Sequence, residues 1–198
     1  WEIPGNALTA EKGRWRKAPG RDFLKSLKNE FGDLPFIAED LGVITPDVAA
    51  LRDRYNLPGM KILLFAFGDG PDNPFLPHHL PINCVAYTGT HDNDTVVGWY
   101  QRISPDENAF YKRYLDRDGS QVAWDLIRAV WASSANYAIA PLQDFLSLGN
   151  EGRMNYPGNP SGNWSWRALP DYQSGRLAER IYEFNYLYSR LNTGWQES

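Results

Sequence analysis

The chain has 198 residues, of which 42 % are hydrophobic and 22 % are charged, and its net charge is −4. These values are typical of a folded globular domain and exclude a disordered or fibrous chain, and without a basic run the sequence gives no footprint for nucleic acid. No stretch has the length and apolarity of a membrane span, and the single cysteine, Cys84, cannot form an internal disulfide, so we expect a cytoplasmic protein whose ligand is neutral or weakly polar.

The first predicted elements are a helix, a strand and a second helix. Apolar residues recur at helical spacing over residues 21–31. The apolar run at residues 34–38 predicts a buried strand, and the acidic residues Glu39 and Asp40 follow its end. Thr45 is typical of a helix N-cap and predicts that the next helix begins directly after it.

The same alternation continues to the end of the chain. Apolar runs predict further strands at residues 60–67, 84–87 and 137–142, and amphipathic patterns predict helices at residues 104–115, 120–133 and 176–191. Continuous apolar strands that alternate with helices are typical of a parallel sheet covered on both faces. The sequence therefore predicts an α/β fold.

Two architectures share this rhythm, the open doubly wound sheet and the (β/α)8 barrel, and both place their sites at the carboxyl ends of the strands. Polar residues follow predicted strand ends four times, at Glu39, at Asp69, at His91 with Asp92, and after Leu142. A barrel gathers all of its strand ends at one mouth, so it explains this pattern better. Four βα units make half of a barrel.

Aromatic residues form an unusually large share of this chain, which holds 8 Trp, 11 Tyr and 9 Phe. They either fill the core or line a cleft in which a ligand stacks. Metal and cofactor motifs fail on spacing. The neighbouring His78 and His79 lack the partners of a zinc site, and the acidic stretch after His91 lacks the later ligands of a calcium loop, so we predict neither a metal nor a cofactor.

Glu39 and Asp92 are the best candidates for catalysis, because each comes just after a predicted buried strand. Chemistry at a glycosidic bond needs such a pair, in which one carboxyl donates a proton and another stays ionised near the anomeric carbon. The alternative is that both are structural acids that cap helices or pair with arginines. The spacing leaves both interpretations open.

A family resemblance rests on motifs that occur in a fixed order along nearly the whole chain. The sequence resembles the 4-α-glucanotransferases, which are called amylomaltase in bacteria and disproportionating enzyme in plants, in the motifs "GRWRKAPG", "PFIAEDLGVITPDV", "KILLFAF", "NPFLPH", "YTGTHDNDT", "RMNYPG" and "NWSWR". The resemblance implies a barrel of the α-amylase clan that transfers α-1,4-glucan segments to an acceptor sugar with retention of configuration. It identifies residues 1–198 as one segment, the C-terminal half of the catalytic barrel, with aromatic-rich loops at the strand ends.

The resemblance also implies roles for individual residues. Glu39 matches the general acid/base, and Asp92 matches the carboxylate that stabilises the transition state. His91 matches a residue that binds sugar hydroxyls, and Asp69 matches one that hydrogen-bonds a glucose. Two further matches are Phe65, which is either a ring presented to a glucose or a core ring of its strand, and Asn155, which is a further candidate for sugar binding.

The family's nucleophile lies upstream of a segment that resembles "WEIPG", and this sequence begins with those residues. We therefore expect a fragment that is inactive by itself and that needs the N-terminal half of the barrel or self-association to cover its open edges. Two alternatives remain, an α-glucan hydrolase of the same clan and a non-catalytic carbohydrate-binding fragment. For a plant source the expected location is the plastid.

Overall fold

The computed structural model describes residues 1–33, 35–42, 44–172 and 174–191, and its elements are those of an α/β fold. The helices are α1 (Gly20–Phe31), α2 (Pro46–Arg54), α3 (Val96–Tyr100), α4 (Pro105–Leu115), α5 (Val122–Trp131), α6 (Leu142–Phe145) and α7 (Gly175–Leu187), and the strands are β1 (Gly59–Ile62), β2 (Cys84–Tyr87) and β3 (Tyr137–Ile139). The predicted alternation of strands and helices is present from β2 onward, but only short 3-10 helices lie between β1 and β2.

The three strands form one parallel sheet in the order β1-β2-β3. Met60 pairs with Val85, and Ala86 pairs with Ala138. The central strand β2 is covered on both faces, but Tyr137 and Ile139 on the edge strand β3 are 55 % and 41 % exposed. The prediction of a sheet covered on both faces is therefore correct for the central strand and wrong for this edge.

The strand predicted over residues 60–67 is shorter than its apolar run. β1 ends at Ile62, and the chain turns through a 3-10 helix, Leu63–Phe65. The run stays apolar because Leu63 and Leu64 are buried in the core as a turn. Continuous apolarity thus reflects burial here and not extended backbone.

The prediction of a buried strand at residues 34–38 is wrong for residues 35–38. Residue 34 lies outside the described residues. Residues 35–38 form no strand, and Phe36 and Ile37 are 42 % and 49 % exposed. Pro35 has no N–H to give to a ladder. One backbone bond, from the Ala38 N–H to the Pro58 oxygen at 2.9 Å, lays this segment beside the start of β1.

Asp40 fastens the end of that segment to the sheet. Its Oδ1 accepts a hydrogen bond from the Met60 N–H at 2.7 Å, and its other oxygen pairs with Arg52 of α2. The site needs Gly59, because a Cβ there would overlap both the Asp40 carboxylate and the Arg52 guanidinium. The ion pair between Asp40, which lies beside β1, and Arg52 of α2 therefore fixes the backbone next to Glu39.

The core lies between the sheet and helices α3 to α5 and is rich in rings. Phe67 and Tyr111 are fully buried, and their centroids lie 5.6 Å apart in an edge-to-face arrangement. Trp124 of α5 packs against Phe184 of α7 at 5.1 Å. Much of the aromatic content thus fills the core. No helix in the described ranges is long and apolar enough to cross a membrane.

The helix predicted at residues 104–115 is confirmed as α4, and Ser104 and Glu107 form a reciprocal cap at its start. The Ser104 hydroxyl accepts from the Glu107 N–H at 3.2 Å, and the Glu107 carboxylate accepts from the Ser104 N–H at 2.9 Å. Thr45 is the N-cap of α2, as predicted, but its hydroxyl donates to the Asp47 carboxylate and caps no backbone N–H.

This difference gives a matched pair of variants. We expect Ser104→Ala to lower the free energy of unfolding by about 1 kcal/mol, because one first-turn N–H loses its acceptor. Thr45→Ala should cost less than half as much, since no backbone N–H depends on that hydroxyl. Urea unfolding followed by circular dichroism measures both, and equal losses would show that the cap in α4 adds nothing.

Candidate active site

The loop between β2 and α3 carries His91 and Asp92 and is held at both of its ends by one buried side chain. Asp144 of α6, 1 % exposed, accepts a hydrogen bond from the Thr88 hydroxyl at 2.6 Å and another from the Val96 N–H at 2.8 Å. Thr88 directly follows β2, and Val96 begins α3. A carboxylate that comes after β3 therefore fixes the loop that follows β2.

Burial raises the pKa of the Asp144 carboxyl to about 6, and the hydrogen bonds from Thr88 and Val96 act against that shift. Asp94, in the loop between β2 and α3, is also buried. The Asp94 carboxylate accepts from the Asn150 amide at 2.9 Å and pairs with Arg102. Asp94 is thus a structural residue of the loop.

Asp92 is held from a second loop, which lies more than 60 residues further along the chain. Its Oδ1 accepts from the Asn155 side-chain amide at 2.6 Å, across a separation of 63 residues. The Asn155 N–H donates to the backbone carbonyl oxygen of His91 at 3.1 Å, and Arg153 Nη2 donates to the backbone carbonyl oxygen of Asp92 at 2.8 Å. Backbone and side chain of Asp92 are therefore positioned separately.

His91 lies beside the same carboxylate. Its Nε2 is 3.3 Å from Asp92 Oδ1, and its ring centroid is 5.0 Å from that of Trp164. The side chains of His91, Arg153 and Trp164 are among those that line a cleft of about 210 Å³. In the described contacts, the second oxygen of Asp92 has no partner, and the carboxylate is half exposed. This oxygen is free to accept hydrogen bonds from a ligand.

Asp69 and Phe65 belong to a separate group on the loop after β1, and Asn73 organises it. The buried Asn73 amide donates to the Phe65 oxygen at 2.8 Å and lies 3.4 Å from Asp69 Oδ2. Phe65 is 45 % exposed and packs edge-to-face against Phe75. The alternative that Phe65 is a core ring of a strand is wrong, because it lies in a 3-10 turn and is partly open to solvent.

Glu39 lies on the segment beside β1 and is exposed. Burial raises the pKa of the Tyr87 hydroxyl, and the negative charge of Glu39 adds to that effect, which places Glu39 near the end of β2. No hydrogen bond or ion pair in the described ranges joins Glu39 to Asp92. The structure therefore brings together His91, Asp92 and Asn155. Glu39 lies on the irregular segment beside β1, and the Phe65–Asp69 group lies on the loop after β1.

Several residues of this site were missed by the sequence analysis. Asn73 holds a loop, Arg153 and Asp144 each hold a loop and also line the cleft, and Trp164 lines it. Trp164 has a positive φ of 59°, unusual for a bulky residue, and its N–H donates to the Met154 oxygen at 2.8 Å. The only available signal was their position in the same polar, aromatic loops. Among residues that the structure describes, no group of three or more His, Cys, Asp or Glu side chains could hold a metal ion.

Comparison with known proteins decides the family. The family model for 4-alpha-glucanotransferases matches residues 1–171. This chain belongs to the 4-alpha-glucanotransferase family. It is 55 % identical to the 4-alpha-glucanotransferase of Thermus thermophilus over 189 residues, which cover 91 % of this chain and 38 % of that protein. The resemblance predicted from the motifs is confirmed.

Other 4-alpha-glucanotransferases match over a similar span. The chloroplastic/amyloplastic enzyme of Arabidopsis thaliana is 42 % identical and covers 96 % of this chain with 34 % of its own length. The amylomaltase of Streptococcus agalactiae in complex with acarbose has a TM-score of 0.92 and 33 % identity, over 96 % of this chain and 39 % of that one. The chain thus spans well under half the length of the relatives it matches, and its α/β fold is that of the corresponding part of amylomaltase.

The raised pKa of Asp144 predicts a pH dependence with a defined sign. The folded chain keeps a proton that the unfolded chain, with a carboxyl pKa near 3.8, releases between about pH 4 and pH 6. This contribution to stability is complete below pH 4 and is lost as the pH rises through 6. As the pH rises over that range, we expect the free energy of unfolding of the unmodified chain to fall by up to about 3 kcal/mol relative to that of Asp144→Asn.

Urea unfolding at several pH values measures this difference. Asp72→Asn is the matched control, because it makes the same substitution at an exposed position. A constant difference between the unmodified chain and Asp144→Asn from pH 4 to pH 7 would contradict the prediction.

Proposed function

We propose that the protein carrying this chain transfers α-1,4-glucan segments from a donor to the 4-hydroxyl of an acceptor sugar with retention of configuration. The observation that carries the proposal is the half-open carboxylate of Asp92. It is oriented by Asn155 beside His91, in a chain of the 4-alpha-glucanotransferase family. Its ligands are α-1,4-glucan oligosaccharides, in starch, glycogen or maltodextrin metabolism.

The proposed architecture is the C-terminal half of a (β/α)8 barrel. Three parallel strands in sequential order, with α-helices between β2 and β3, support it, as does the match to amylomaltase over 39 % of that chain. The partly exposed strand β3 is then an edge that the other half of the barrel covers. Self-association is the other way to cover it, and the location is the cytosol or, in a plant, the plastid.

Asp92 is proposed to stabilise the transition state. An oxocarbenium-like ring changes shape and charge, so a fixed carboxylate oxygen can bind its hydroxyls more tightly than those of the ground state. Asn155 holds Oδ1 and leaves Oδ2 for the sugar. We assign Asn155 the role of orienting Asp92, which is a narrower role than general sugar binding. His91, 3.3 Å from the same carboxylate, supplies a second polar group for hydroxyls.

Glu39 is proposed as the general acid/base. It protonates the leaving glycosidic oxygen and later removes the proton from the acceptor hydroxyl. Asp40 supports this role by fixing the adjacent backbone through Met60 and Arg52. Asp69 and Phe65, on the next loop, are proposed to contact a glucose by a hydrogen bond and by ring stacking.

The nucleophilic carboxylate is proposed to come from the part of the barrel upstream of Trp1. The same acids would serve a hydrolase, in which water and not a sugar receives the glycosyl group. Products from maltotriose separate the two reactions, since transfer gives a ladder of longer glucans and hydrolysis gives only glucose and maltose.

The first prediction on activity concerns Glu39 in the full-length protein. Glu39→Gln should lower turnover of maltotriose by at least about 100-fold, because proton transfer is lost. Acarbose binding should change by no more than about twofold. Glu30→Gln, an exposed residue of α1, is the control with the same charge change. Unchanged turnover in Glu39→Gln would remove the acid/base assignment.

The second prediction concerns the 198 residues alone. We expect no glucans longer than maltotriose after incubation with maltotriose, because no glycosyl-enzyme intermediate can form without the nucleophile. Chromatography of the products tests this, with the full-length protein as the positive control. A product ladder from the isolated chain would overturn the proposal that the nucleophile lies upstream of Trp1. Acarbose binding without turnover would fit a carbohydrate-binding fragment.

A further inference from the structure

A second depression, of about 260 Å³, lies between α5 and α7 and shares no lining residue with the cleft beside His91. Nothing in the glucanotransferase proposal uses it. Three arginines and two aspartates supply its charges. They are Arg117, Asp118, Asp125, Arg128 and Arg180.

Both aspartates are already engaged. Asp125 accepts from the Tyr111 hydroxyl at 2.9 Å and lies 3.4 Å from Arg117 Nε. Asp118 accepts from the Ser120 N–H at 2.9 Å in the turn before α5. These contacts pair Arg117 with a carboxylate, and the other two arginines have no direct ion pair among the described residues.

Arg128 and Arg180 have neutral partners only. Arg128 Nη1 donates to the Tyr188 hydroxyl at 2.8 Å, and Arg180 Nη2 donates to the Gln121 side chain at 3.1 Å. The Arg180 guanidinium also lies 3.5 Å from the centroid of the Trp124 ring. Over the described ranges, no carboxylate comes within 4 Å of either guanidinium. Two cations are thus held in place by neutral side chains, with no carboxylate in direct contact.

The surrounding field is positive as well. Burial lowers the pKa of Arg180, and the charges of Arg128 and Arg176 lower it further. No side chain caps the first turn of α5, whose N-terminus adds a partial positive charge at the depression. An anion would be stabilised by the helix and by both guanidiniums together.

We propose that this depression, the arginine cleft, binds a phosphate group, either inorganic phosphate or a small phosphate monoester. Two planar guanidinium forks suit an anion with three or more acceptor oxygens better than a single carboxylate. A neutral sugar fits poorly, because Arg180 covers the Trp124 ring on which it would stack, and that ring is 6 % exposed. The volume leaves room for a small group esterified to the phosphate.

The test is calorimetric titration of the full-length protein with inorganic phosphate and, separately, with glucose 6-phosphate, at constant ionic strength in chloride. We expect saturable binding of one phosphate group per chain. Arg180→Gln and Arg128→Gln should each weaken it by about tenfold or more. Arg180→Lys keeps the charge and loses the fork, so it should fall between. Tighter binding of glucose 6-phosphate identifies a monoester as the ligand, and tighter binding of inorganic phosphate identifies the free ion.

Arg21→Gln, which removes a charge from exposed α1, is the matched control and should change the affinity by less than twofold. Circular dichroism confirms that each variant is folded. If the unmodified chain binds neither probe saturably, the proposal fails, and this result does not depend on how any variant folds. It also fails if Arg21→Gln weakens binding as much as Arg180→Gln, because the effect is then general electrostatics.

Discussion

The site depends on one buried carboxylate, that of Asp144. Removing a carboxyl group from water is costly unless hydrogen bonds replace the lost solvation, and here the Thr88 hydroxyl and the Val96 N–H do so. The two donors belong to opposite ends of the loop after β2, whereas Asp144 belongs to the helix after β3. One side chain therefore ties two strand ends together and fixes the span in which His91 and Asp92 lie.

A second set of contacts fixes the position of the Asp92 carboxylate within that loop. Arg153 binds the Asp92 backbone and Asn155 binds its side chain, while Arg153 itself is held by the Asn155 oxygen at 2.9 Å and by the Tyr156 ring at 4.3 Å. The loop after β3 is therefore part of the same site as the loop after β2.

Elements whose cause is local could be predicted from the sequence, and contacts between distant segments could not. The start of α4 is encoded in Ser104 and Glu107, three positions apart, which cap the first turn of the helix reciprocally. The contact of Asn155 with Asp92 spans 63 residues, and no periodicity records it. The family resemblance named both residues, but their contact appears only in the structure. The apolar run at 60–67 was misread because a buried turn and a buried strand have the same composition.

The relative position of Glu39 and Asp92 follows from sheet register. The Glu39 segment is fastened to β1 through Pro58 and Met60, and Asp92 is fastened to the end of β2. Met60 lies opposite Val85 in the parallel ladder, so the β1–β2 register sets how far along the sheet each carboxylate stands. A slip of one residue would move one acid by about 3.3 Å and reverse the faces of the strand. The buried residues of β1 and β2 thus determine the geometry of two exposed carboxylates, neither of which contributes to the core.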